Sequence, residues 1–457
     1  MGRLTLSGAL RYDRARSWAP DQRLESRFFA APLVFGRTSV VDAYNDLTPR
    51  ASVVYDVFGN GKTAIKGTLG KYLEATVTAS NYGLANPTSR IAANATRTWT
   101  DGNKNWIPDC DFRNPAVQDN IASGGDFCGV PSNVNFGTAN FSNTIDPDIL
   151  HGWGVRPSDW NWGVSVQQEV LRRVSVELGF FHRAFYGFTV TDNLAVGPEN
   201  FDKFSITAPS DSRLPDGGGY PVGTLYDLNT PSLAGVTRNY ITYSDRYGDQ
   251  YQRFNGIDLN VNAHPRNGLT VQGGFSGGKS ASDNCQIREK VPEIGLLNPF
   301  CHIETTFLPQ YKALSNYIVP KVDVQLSATF TSKPGIQVSG FGTPVAGGAF
   351  AANYVVPNSV VAPILKRNLS GNAPNITVNI LRPYERLGER VNELDLRVQK
   401  ILRFSRTRAN VGVDIFNILN SAAALSYNQA FIPGGPWLTP TSVLSARFAK
   451  ISAQFDF

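Results

Sequence analysis

The sequence closes on Ala449-Lys450-Ile451-Ser452-Ala453-Gln454-Phe455-Asp456-Phe457, and this stretch decides how the rest is read. Successive side chains of an extended strand point to opposite faces. Ala449, Ile451, Ala453, Phe455 and Phe457 therefore share one side, and Lys450, Ser452, Gln454 and Asp456 share the other. The same period of two recurs upstream. In Leu4–Tyr12, Leu4, Leu6 and Leu10 alternate with Thr5, Ser7 and Ala9. Val174, Val176, Leu178 and Phe180 alternate with Ser175, Glu177 and Gly179, and Ile257, Leu259 and Val261 with Asp258, Asn260 and Asn262. Val322–Phe330, Leu394–Val398 and Val411–Ile415 repeat it. Strands of about 9–11 residues suffice to cross a bilayer when tilted.

The connections give these strands a common direction. Short turns are expected at Phe58–Lys62, Leu171–Arg173, Pro265–Gly268, around Pro320 and at Phe404–Thr407. Long loops are expected at Asp13–Thr48, Leu73–Asp159, Ala184–Gln250, Lys279–Thr306 and Asn420–Leu444. Short and long alternate strictly. A transmembrane barrel has this pattern, with short periplasmic turns and long extracellular loops. A propeller or sandwich has no reason to keep its long loops at one end. The fold class expected is all-β, an antiparallel transmembrane β-barrel of about fourteen strands, with the pattern least clear between Thr331 and Pro383. The chain begins outward and ends inward.

Composition agrees. The chain has 457 residues, 42% hydrophobic and 18% charged, with a mean hydropathy of −0.20. No run approaches the roughly 20 apolar residues of a membrane helix. A barrel needs none, because only every second residue faces lipid. The net charge of +6 is spread along the chain, which excludes a nucleic-acid patch. The cysteines form two local pairs, Cys110 with Cys128 and Cys285 with Cys301. In polar, loop-like sequence these read as disulfides of an oxidising compartment. No signal peptide opens the chain. An exported protein needs one, so residues 1–457 are expected to be a C-terminal fragment whose signal peptide and further N-terminal parts lie elsewhere.

Several stretches resemble TonB-dependent outer-membrane receptors, in particular the subgroup whose barrel follows a carboxypeptidase-regulatory-like domain. They are Asn45-Asp-Leu-Thr-Pro-Arg50, Tyr55-Asp-Val-Phe-Gly-Asn-Gly-Lys-Thr63, Leu214-Pro-Asp-Gly-Gly-Gly-Tyr220, Phe254-Asn-Gly-Ile-Asp258, Leu394-Asp-Leu-Arg-Val-Gln-Lys400, Asp414-Ile-Phe-Asn-Ile-Leu-Asn420 and the final strand. The resemblance implies a barrel of about 22 strands occluded by an N-terminal plug. It also implies partners: membrane lipid, the plug, the TonB complex acting through the plug, and the assembly machinery reading Phe457. On this reading the strands present are part of a larger barrel. The edges at Leu4–Tyr12 and Ala449–Phe457 are then left open or close on each other. The open, curved sheet is favoured, because shear suited to a wide barrel does not suit a narrow one.

Motifs for chemistry are weak. Gly273-Gly-Phe-Ser-Gly-Gly-Lys-Ser280 matches the phosphate-binding P-loop pattern, but it follows an alternating strand and opens no helix-like segment. Gly59-Asn-Gly-Lys-Thr63 reads as a tight turn. Asp101, Asn103, Asn105, Asp109 and Asp111 place oxygens at the alternating positions of a calcium loop. They lack the central glycine and final glutamate, and an Asx-rich turn is the favoured reading. A structural calcium is the only cofactor raised. His151, His182, His264 and His302 are scattered, and no catalytic set stands out, so no enzyme activity is expected. Asp258, Asn260, Asp395, Arg397 and Asp414 are expected to line a hydrated lumen. The function expected is energy-dependent uptake of a large or scarce ligand; the alternatives are a passive pore and a surface adhesin.

Overall fold

The computed structural model describes residues 2–26, 30–77, 81–141, 143–335, 351–404 and 407–456. Twelve long strands form one antiparallel meander, each paired with the next. They are β1 (Leu4–Ala15), β2 (Ala43–Asp56), β3 (Thr63–Leu73), β4 (Ser158–Leu171), β5 (Val174–Tyr186), β6 (Tyr251–Ala263), β7 (Leu269–Asp283), β8 (Gln310–Val319), β9 (Val324–Lys333), β10 (Val391–Phe404), β11 (Thr407–Phe416) and β12 (Phe448–Asp456). The sheet counts fourteen strands because His151–Trp153 adds to β2 and His302–Glu304 to β7. Among the described residues β1 pairs only with β2 and β12 only with β11, so the sheet is open. Phe457, the residue expected to be read in assembly, lies outside the described residues.

Four short connections, 57–62, 172–173, 264–268 and 320–323, lie at one end, and the expected turn at Phe404–Thr407 falls on residues 405–406, outside the described residues. Six long ones, in their described parts, lie at the other: 16–42, 74–157, 187–250, 284–309, 334–390 and 417–447. β1, β2, β5 and β7 run a few residues beyond the expected bounds, because their ladders continue past the alternating core, while β8, β11 and β12 stop a few residues short of them. One expectation is corrected: Val322 belongs to the turn before β9 rather than to the strand. In the stretch from Thr331 to Pro383, where the pattern was least clear, β9 ends at Lys333, residues 336–350 lie outside the described residues, and the described part of the fifth long loop holds the strands Asn353–Pro357 and Asn375–Asn379 and the helix Asn358–Leu365.

Register fixes two unlike faces, since residues directly opposite on neighbouring strands share a face. One row runs Glu177, Asn260, Gly274, Lys312, Thr331, Glu393 across β5 to β10. A second runs Arg397, Asp414, Lys450 across β10 to β12. Asp258, Asn260, Asp395, Arg397 and Asp414 all lie on this polar face. There Lys66 pairs with Glu177 at 3.1 Å, and Ser165 Oγ donates to the same carboxylate at 2.7 Å. Arg397 grips Asp414 through Nε and Nη2.

The opposite face carries Leu6, Val53, Ile65, Val166, Leu178, Leu259, Leu326, Val398, Val413 and Ile451, all exposed, Leu6 at 71% and Ile451 at 79%. Apolar rows this extensive are not left to water in a stable protein. Their partner is the hydrocarbon of a membrane. Trp162, in tilted contact with the Phe180 and His182 rings, and the Tyr12–Trp153 pair lie toward the long-loop end, where aromatic rings suit a membrane interface.

Two substitutions separate the faces. Leu178→Lys is expected to lower folding stability by about 2–4 kcal/mol, because it puts a cation against lipid. Asn260→Lys, opposite Glu177 on the polar face, is expected to be near neutral. Yield of folded protein in outer membranes and urea midpoints in lipid measure both; equal losses would contradict the two-face assignment.

Candidate functional site

The long loops are not solvated hairpins. The largest cluster of buried apolar side chains in the described molecule lies among them rather than in the sheet. Phe204, Ile206 and Leu225 come from the third loop, where Phe201–Thr207 pairs with Pro221–Leu228. Val356, Val378 and Leu381 come from the fifth, and Phe431 and Trp437 from the sixth. Leu297 of the fourth packs against them. The fifth and sixth loops join as a sheet, with Asn353 and Tyr354 beside Ala430 and Phe431. Burying each large side chain contributes about 1.5–3 kcal/mol, which offsets the entropy lost in ordering such long segments.

Ion pairs clamp this core from outside. Asp211 pairs with Arg213 at 2.7 Å and accepts the Gly434 N–H at 3.1 Å, while Arg213 donates to Gly435 O at 2.6 Å and Ile432 O at 3.1 Å. The Arg213 guanidinium, then the Arg213 and Gly434 amides, hold the Asp211 carboxyl well below the usual range. Arg367 of the fifth loop bridges Asp202 at 2.8 Å and Asp227 at 2.6 Å in the third.

The first three loops form a second layer. Asn143–Ile145 runs parallel to Asn239–Ile241, and Arg246 reaches Asp146 and Asp148, each at 2.7 Å. Arg156, at the return of the second loop, meets fully buried Asp46 at 3.0 Å. Cys110–Cys128 and Cys285–Cys301 are both bonded, each within one loop.

The other residues singled out in the sequence fall as follows. Gly273–Ser280 lies inside β7 as extended strand, so it forms no phosphate loop. Its glycines have a packing reason: a Cβ at Gly278 would meet the Phe254 ring at 2.5 Å, and one at Gly277 the Phe307 ring at 2.6 Å. Gly59 and Gly61 donate to Asp56 at 2.9 and 2.8 Å in the β2–β3 turn. In the calcium-like stretch the oxygens face backbone. Asp101 accepts from Asn105 N and Trp106 N, Asn105 from Ile107 N, and Asp111 from Arg113 N, while Asn103 donates to Asp109. Among the described residues no three His, Cys, Asp or Glu side chains converge to hold a metal. The organising carboxylate is one the sequence did not single out. Buried Asp126 accepts from Trp99 Nε1, Gly102 N and Asp109 N, each at 3.0 Å. His182 bonds Asn255, His264 bonds Thr270 and His302 bonds Asp283.

Beside Asp126 the second loop encloses a cavity of about 300 Å³ lined by Trp99, Phe112, Phe136, Pro108 and Pro131. Cys128 forms part of its wall. Arg97 lies there with its guanidinium spent on the carbonyls of Gly129, Asn114 and Ala116. Rings, prolines and a disulfide make a rigid, mostly apolar recess, the usual character of a small-ligand pocket. The density of Pro and aromatic residues between 99 and 136 is the only hint of it in the sequence.

A lipid-facing sheet of antiparallel strands with all long loops at one end defines an integral β-barrel of the outer membrane. Residues 1–304 match the family described as outer membrane beta barrel domain, and the chain belongs to that family. Among solved structures it is similar to the FrpB iron transporter of Neisseria meningitidis, at 11% identity and a TM-score of 0.41, over 99% of this chain and 43% of that one. It is also similar to the ferric-catecholate import receptor Fiu of E. coli K12, at 10% identity and a TM-score of 0.42, over 100% and 43%. The Escherichia coli outer-membrane transporter YddB aligns at 10% identity and a TM-score of 0.47, over 99% and 52%. The chain spans about half the length of these structures. No curated protein matches the sequence.

Two outcomes are expected in the loop layer. Replacing Cys110 and Cys128 by Ser should lower the local stability of the second loop by about 3 kcal/mol. Limited proteolysis should then cut between residues 99 and 136 while the strands stay protected. The Asp211 clamp should be acid-resistant: a depressed folded pKa contributes stability above the unfolded value near 4 that is lost only as pH falls through the folded value. Cleavage of the sixth loop should therefore stay slow at pH 4 and rise in stronger acid, whereas Asp211→Asn raises it already at pH 7.

Proposed function

We propose that this chain is the barrel portion of a TonB-dependent receptor, which captures a large or scarce ligand at the long-loop layer and passes it through the polar interior. The observation that carries this reading is the shared apolar core of the third, fifth and sixth loops. A passive pore gains nothing from ordering its outer loops, whereas a receptor gains affinity when its binding surface is preorganised. The Asp126 recess is the part of that surface with the dimensions of a pocket. Asp258, Asn260, Asp395, Arg397 and Asp414, with Lys66 and Glu177, form the hydrated lining along which the ligand and an occluding plug make contact.

The unpaired outer edges of β1 and β12 support a wider barrel. Each unsatisfied backbone group in lipid costs several kcal/mol, so further strands would close the ring, and the plug that receives energy from TonB would belong to the same additional chain. The subgroup with a carboxypeptidase-regulatory-like domain rests on the sequence resemblance alone.

Planar-bilayer recording on the protein purified from outer membranes separates this from a pore. A plugged receptor should hold almost no conductance until mild urea displaces the plug, and then open to a wide channel. Steady conductance without urea would favour the passive pore. Trp99→Ala with Phe136→Ala should weaken ligand-dependent growth at limiting ligand by about thirtyfold, the loss of roughly 2 kcal/mol of binding. Removing the TonB complex from the host should abolish that growth.

A further inference from the structure

The short-turn end carries a feature that uptake does not use. Between the β4–β5 turn, the β6–β7 turn and the end of β8 lies a cavity of about 580 Å³, lined by Arg173, His264, Arg266, Leu269 and Thr270 among others. The two turns are tied together, His264 N donating to Arg173 O at 2.9 Å, and the β6–β7 turn is tied to β8, Ile318 N donating to Gly268 O at 2.9 Å. Gly268 has φ +78°, and a Cβ there would stand 2.8 Å from Ile318 O, so the turn sits on β8 as no other residue would allow.

Neither guanidinium has a carboxylate partner among the described residues. Glu169, whose carboxylate meets this turn, accepts the Arg173 backbone N–H at 3.1 Å. The Arg266 guanidinium lies over the Tyr317 ring at 4.3 Å, and His264 Nδ1 lies 3.2 Å from Thr270 Oγ1. Two unpaired arginines and an imidazole around an open cavity form an anion site, and guanidinium geometry suits phosphate oxygens.

Its position selects the source of the phosphate. Tyr317 pairs with Leu269 on the apolar face of the sheet, so Arg266 stands at the border between cavity and lipid. The turn tips around it repeat that pairing of cation and exposed apolar residue. In the sequence Phe58 lies four residues before Lys62, Leu171 adjoins Arg172 and Val322 adjoins Lys321, with Phe58 at 64% and Leu171 at 69% exposure, while Phe404 adjoins Arg403, which pairs with Asp323 at 3.3 Å. Apolar tips with adjacent cations belong at the boundary of acyl chains and headgroups. The geometry points to a site for the phosphate of an anionic phospholipid in the leaflet at the short-turn end, held by Arg173 and Arg266.

The test uses the protein purified from outer membranes and reconstituted in vesicles of phosphatidylglycerol mixed with phosphatidylcholine. Lipid retained through mild detergent extraction is counted by native mass spectrometry. The wild type should retain phosphatidylglycerol over phosphatidylcholine, and Arg173→Gln with Arg266→Gln should cut that preference about tenfold or more. Lys104→Gln with Lys290→Gln, removing two charges in the loop layer, should leave it unchanged. Wild-type preference should fall with salt, a reading that holds even if the double variant folds poorly. Equal retention of both lipids, or an unaltered preference in the Arg173/Arg266 variant, overturns the site. Displacement of the lipid by millimolar inorganic phosphate alone would assign it to the free anion. Retention of an acidic periplasmic protein, with no lipid preference, would assign the surface to a protein partner.

Discussion

Inside hydrocarbon a peptide N–H or C=O without a partner costs several kcal/mol, and no water is present to supply one. The meander from β1 to β12 follows from that constraint. Every strand between the two edges has ladder partners on both sides, and consecutive strands join by whichever connection is shortest at the turn end. Among the described residues only the outer edges of β1 and β12 depart from it. The same constraint places irregular backbone outside the membrane, and nearly all of it has gone to one end.

That asymmetry creates a second folding problem. Six long connections leave the sheet with no bilayer to cover their apolar residues, so they must cover one another. Phe204, Val356, Leu381, Phe431 and Trp437 do so across three loops, and the Asp211–Arg213 and Arg367–Asp202–Asp227 pairs hold the seams. The molecule thus has two kinds of apolar packing. Strand side chains face lipid, where identity matters little beyond hydrophobicity. Loop side chains face each other, where shape matters.

The two ends also differ in electrostatics. In the loop layer, Arg213, Arg246 and Arg367 are spent on carboxylates and Arg97 on carbonyls. At the turn end, Arg403 pairs with Asp323, whereas Arg173 and Arg266 have no acidic partner among the described residues. A protein embedded in a bilayer meets two different headgroup surfaces, and the sheet is anchored differently at each.

What the sequence determined by itself was whatever depends on near neighbours along the chain. Period-two alternation put Val176 and Leu396 on one face and Glu177 and Arg397 on the other, and the spacing of turn residues separated short from long connections. The two disulfides were legible because Cys110 and Cys128, and Cys285 and Cys301, are close in sequence. Alternation faded between Thr331 and Pro383, because that stretch packs against other loops and its pattern answers to them rather than to a bilayer. The P-loop match at Gly273–Ser280 was discounted from its strand context, but the use of its glycines was not legible: they make room for Phe254 of the neighbouring strand and Phe307 of the fourth loop, contacts no local pattern encodes. Asp126, the recess beside it, the common core of the loops and the pairing of Arg173 with Arg266 were decided only by tertiary structure. Each brings together groups far apart in the chain, and the free energy that selects them exists only once the strands have set the loops side by side.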